Sequence, residues 1–103
     1  MRMMLKATMP VEVGNAKIKD GSLATTIQAI LAELTPEAAY FIEDQGKRTA
    51  ILFLDVQDSS QIPALAEPWF LAFNASVEFH VAMNADDLMK AGPAIEQAAR
   101  SYG

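Results

Sequence analysis

The chain has no cysteine, one histidine and one tryptophan, and each scarcity removes a class of chemistry. Without thiols there are no disulfides, no thiolate zinc sites and no nucleophilic cysteine, which suits a reducing compartment. His80, even with Glu78 and Asp55 beside it, falls short of the two-histidine, one-carboxylate metal set. A lone histidine is more often structural than a haem ligand, so no metal or cofactor is expected. Basic residues are also few, 8 against 13 acids for a formal net charge of -5. Scattered singly, they argue against nucleic acid and anionic membrane as partners. The apolar start of the chain is broken at Lys6 and Pro10, too early for a signal-peptide core or a membrane span, so a cytoplasmic protein is expected. The five glycines form no phosphate-cradling motif, and no Gly-x-Ser-x-Gly or Ser-His-Asp grouping is present.

What the chain does have is apolar residue, 51% hydrophobic against 20% charged over 103 positions. That is the composition of a folded globular protein, and the length predicts a single domain, 1–103, able to bury about two-thirds of its unfolded surface. The strongest local signal is Ala38 to Val56, AAYFIEDQGKRTAILFLDV, two apolar runs joined by a polar tip with Gly46 for the turn. It reads as a β-hairpin. Setting Glu43 opposite Arg48 also sets Tyr40 opposite Ile51 and Ala38 opposite Phe53. One face then carries Ala39, Phe41, Ala50, Leu52 and Leu54. The other carries Tyr40, Ile42, Thr49, Ile51, Phe53 and Asp55.

Met3 to Met9 reads as a first strand, ended by Pro10, followed by a polar connection with at most a turn of helix, closed by Gly21. Ser22 is the expected cap of a helix with an apolar stripe at Leu23, Ile27, Ile30, Leu31 and Leu34, stopped by Thr35-Pro36. Asp58, Ser59 and Ser60 are candidate caps for a second helix carrying Ile62, Leu65, Ala66, Trp69, Phe70 and Phe73, with a kink or break expected near Glu67 because of Pro68. Ala75 to Met83 alternates as a last strand. Asn84, with Asp87 three positions on, opens a final helix lined by Leu88, Ile95, Ala99 and Tyr102, which Pro93 should bend.

The order is β-α-β-β-α-β with a C-terminal helix, an α+β, ferredoxin-like antiparallel sheet with both main helices on one side. Right-handed crossovers leave the other side bare. That side is expected to hold Lys6, Thr8, Tyr40, Ile42, Thr49, Ile51, Phe53, Asp55, Glu78 and His80, an apolar patch larger than monomers usually expose. A second copy on a two-fold axis is the simplest cover, and two facing sheets enclose a space suited to a small, largely apolar ligand.

The strand order, the size and the runs PEAAYF, GKRTAILFLDV, AEPWFLAFNASVEF and MNADDL resemble the dimeric α+β-barrel superfamily, and within it a group of small bacterial proteins, over nearly the full length. The resemblance implies a homodimer. It leaves function open, since the superfamily includes cofactor-free monooxygenases, isomerases, haem-handling proteins and members with no activity.

Four residues stand out for acid-base chemistry: His80, Glu78 two positions before it on the same face, Lys6 across from them if the last strand pairs with the first, and Tyr40 as a second donor. The competing reading is a Lys6–Glu78 ion pair with His80 at the rim of a dimer interface. Thr8, Thr49, Ile51, Phe53, Asp55 and Trp69 are the expected ligand contacts, although Trp69, on the helical stripe, equally suits core packing beside Pro68. Two functions follow from different classes: a dimer binding a small apolar molecule, with cofactor-independent monooxygenase or isomerase-like chemistry, or a non-catalytic dimerisation module whose interface is filled.

Overall fold

A computed structural model describes Met1–Gly103. Strand β1 (Arg2–Thr8) lies inside the sheet, with alternate residues Met3, Leu5 and Ala7 buried on one face. Hairpin strands β2 (Ala38–Asp44) and β3 (Lys47–Asp55) turn through Gln45 and Gly46, both at positive φ. Two positive φ values in a two-residue loop give the turn whose twist matches that of paired strands. Glu43 opposes Arg48, Tyr40 opposes Ile51 and Ala38 opposes Phe53, the register that the charge pair implies. Strand β4 (Ser76–Val81) pairs antiparallel with β1, and the sheet order is β2-β3-β1-β4. This is a ferredoxin-like α+β fold.

The first crossover holds two helices, α1 (Val11–Lys19) and α2 (Leu23–Leu34), where a polar connection and a single helix were expected. The sequence of α1 has almost no apolar stripe, and the only residue it buries is Gly14. It forms because Glu12 sits in the first turn and Lys17 and Lys19 in the last, each matching the helix dipole. Ser22 precedes α2 but does not cap it: its backbone is already helical and its hydroxyl makes no cap bond. Thr35, left-handed at φ 44, closes the helix by donating its N–H to the Leu31 carbonyl.

The second crossover opens at Asp58, whose side chain accepts from the Ser60 N–H while Gln61 reaches back in a capping box. A single 3-10 turn then leads into α3 (Ile62–Phe73). Against expectation, α3 runs unbroken through Pro68. Ala66 and Trp69, on either side of that proline, and Phe73 one turn on are all buried, so packing on both sides holds the helix across the lost hydrogen bond. Phe70, placed on the apolar stripe by its spacing, is exposed instead. The core joins Leu5, Leu52 and Leu54 of the sheet to Ile30 of α2 and to Trp69 and Phe73 of α3.

Strand β4 stops at Val81, which with Met83 is exposed, so it is shorter than the alternation suggested. Asn84 and Asp87 form the expected reciprocal cap on α4 (Ala85–Lys90). Pro93 does not bend a helix; it sits in the first turn of a separate one, α5 (Gly92–Tyr102), where its missing N–H costs nothing. Neither α4 nor α5 buries a residue. The molecule is accordingly long, 59 × 28 × 20 Å with a radius of gyration of 17.2 Å, against about 13 Å for a compact chain of this length. None of its helices is long and apolar enough to cross a membrane.

Candidate functional site

The face of the sheet away from α2 and α3 is laid out by register. One row across it reads Tyr40, Ile51, Lys6, Glu78; the rows beside it read Ala38, Phe53, Met4, His80 and Ile42, Thr49, Thr8, Ser76. Strand β1 does pair with β4, so Lys6 and Glu78 are direct neighbours. Tyr40 and Ile42 are 59% and 46% exposed, Ile51 and Phe53 half-buried. The four form a continuous apolar strip over β2 and β3.

Lys6 is the centre of the polar half. Its ammonium bonds Asp44 on β2 and lies 3.7 Å from Glu78 on β4. To reach Asp44 on β2 from β1 it spans the intervening strand β3, on which Thr49 is only 3% exposed. Thr49 Oγ1 donates to the Lys47 carbonyl at 3.1 Å and lies 3.4 Å from Thr8 Oγ1. The Asp44 hydrogen bond raises the Lys6 pKa; desolvation opposes it in part, and the charges of Asp44 and Glu78 add to the rise. Lys6 is therefore a fixed cation, poorly suited to giving up a proton near neutrality.

The other expected site residues are dispersed around this bridge. His80 and Tyr40 are exposed and have no protein hydrogen-bond partner, so the geometry joins Lys6 to Glu78 but brings neither His80 nor Tyr40 to them. Asp55, at the end of β3, bonds the Met1 amino group at 2.9 Å and Gln57 Nε2 at 2.9 Å. The amino group holds its carboxyl below the usual carboxylate range. Trp69 belongs to the core on the other side of the sheet, its ring 5.9 Å from that of Phe73. No three His, Cys, Asp or Glu side chains converge to hold a metal.

Asp44, within the polar tip of the hairpin, is the residue that sequence reasoning missed. The signal was available: Asp44, like Tyr40 and Ile42, has the even parity that faces Lys6, and a lysine is long enough to span one strand.

No family model matches the sequence, and no curated protein matches it. Among solved structures, a formyltetrahydrofolate deformylase from Pseudomonas putida KT2440 is similar at 17% identity and a TM-score of 0.48. The match covers 80% of this chain and 29% of that one, so the chain spans under a third of the protein it resembles.

Proposed function

We propose that this chain is a homodimer of the dimeric α+β-barrel kind, cytoplasmic, which presses its two open sheet faces together and holds a small, largely apolar molecule between them. The observation that carries the reading is the strip of Tyr40, Ile42, Ile51 and Phe53 on a face that the core helices leave uncovered. Area sets a further condition. Four strands at about 4.8 Å spacing and six or seven residues at about 3.4 Å each make a face of roughly 400 Å2 in plan. A stable dimer buries about 800 Å2 per partner, so more surface must join.

The C-terminal arm supplies it. Ile95, Ala98, Ala99 and Tyr102 fall on one side of α5 and Glu96, Gln97, Arg100 and Ser101 on the other, yet Ile95 and Tyr102 are 55% and 91% exposed. A helix of 11 residues is marginal in water without packing. An arm reaching across to the partner would cover its own apolar side and enlarge the interface together.

A binding role is favoured over catalysis because Lys6 is neutralised by Asp44 and Glu78. The same bridge favours a second reading, a purely structural dimer with a filled interface. Native mass spectrometry of freshly purified protein separates the two: a dimer carrying a retained small molecule supports the binding reading, and a dimer of bare protein mass supports the structural one. His80→Ala should abolish that retention while leaving the dimer intact. Unchanged retention would remove His80 from the site.

A further inference from the structure

The opposite side of the sheet contains a cleft that the dimer does not use. The row facing the helices reads Phe41, Ala50, Ala7, Val77. Ala50, small and next to Phe41, leaves a low floor, and the N-terminal half of α2 stands above it with Leu23 and Ile27 only half-buried. The result is an opening of about 350 Å3, walled chiefly by Met9, Leu23, Ile27, Phe41, Ala50 and Trp69. That lies within the range of about 300–1,000 Å3 seen for small-molecule sites. At about 30 Å3 per water-sized group it admits a ligand of up to about twelve non-hydrogen atoms.

One cationic donor at this cleft is left without its natural partner. Arg48 borders it, and in a chain with an excess of acids it has no carboxylate within ion-pair distance, whereas the half-buried Arg2 and Lys6 each have two. Its guanidinium instead donates to neutral acceptors, Asn15 Oδ1 at 3.0 Å and the Val11 carbonyl at 3.5 Å. Glu43, directly opposite in register, also borders the cleft but accepts the Gly46 N–H at 3.0 Å. Gly14 makes room for the arrangement, since a Cβ there would lie 2.5 Å from an Arg48 terminal nitrogen. The ring of Trp69 forms part of the apolar wall. A half-buried guanidinium at the edge of an apolar cavity matches a carboxylate at the end of an apolar body.

We infer that the cleft between α2, α3 and the hairpin binds a small monocarboxylic acid with an apolar chain or ring, its carboxylate on Arg48 and its body over Ala50 and against Trp69. Octanoate, with ten non-hydrogen atoms, is a suitable probe, and Trp69, the one tryptophan, reports on it by fluorescence. Titrating the intact protein with sub-millimolar to low-millimolar octanoate should give a saturable change in emission. Binding should weaken at least tenfold for 1-octanol and for Arg48→Met, and vanish in Ala50→Leu, which fills the floor. No saturable change with octanoate, or equal binding of acid and alcohol, would overturn the proposal, as would an Arg48→Met variant that binds octanoate normally. Should Ala50→Leu not fold, the alcohol and the Arg48→Met arms decide alone. None of these outcomes depends on the sheet-face dimer, whose failure would be read as a change in mass.

Discussion

Lys6 shows how one side chain reshapes a face that alternation predicts to be open. By spanning β3 it turns a candidate proton donor into a tie between the outer strands. Because its folded pKa is raised, the stabilisation it contributes is complete below the unfolded lysine value of about 10.4 and is lost as pH rises through the higher folded value. Urea titrations of wild type and Lys6→Met at pH 8 and pH 11 check this. The wild type should be the more stable at pH 8, by a small margin since the pair is solvent-screened, and the margin should shrink at pH 11. A constant margin would mean that the ion pair is not what Lys6 contributes. That Lys6 and Glu78 are neighbours was legible in the sequence from alternation once the last strand is set beside the first. The diagonal reach to Asp44 was not, because it depends on a side-chain rotamer over a neighbouring strand rather than on spacing.

Among the elements, those with the strongest patterns were the most legible. The hairpin register followed from a single charge pair across a polar tip with one glycine, and α2 from five apolar residues at helical spacing. Helix α1 was not legible, because it buries a glycine and is held by end charges, features that a search for an apolar stripe passes over. Pro68 misled in the other direction: its local cost is real but the core outweighs it. Replacing an interior proline by alanine restores one backbone donor and removes a clash, worth up to about 3 kcal/mol. Pro68→Ala should therefore raise the urea midpoint; an unchanged or lower midpoint would show that the helix at Ala64 and Pro68 carries no strain to relieve. The arm invites a different test. Ile95→Glu should leave the unfolding transition of the isolated subunit unaltered but shift subunit dissociation to higher protein concentration, as sedimentation velocity would record. Equal dissociation in both proteins would detach α5 from the interface.

For the whole molecule, shape carries the argument. A chain this long is expected to fill a near-sphere, yet it extends 59 Å along one axis, and it carries both a helix that buries nothing and an apolar sheet face. Each surface is unfavourable in water, and the proposed two-fold exchange would cover both without any other partner. The direct measurement is molar mass by light scattering behind size exclusion, on wild type and on Phe53→Glu, which would place an unpaired charge in the sheet-to-sheet contact. The account predicts twice the 11.2 kDa chain mass for the wild type and a single chain mass for a still-folded Phe53→Glu. A folded wild type that runs as a single chain at high micromolar concentration, or a variant that keeps the doubled mass, would contradict it.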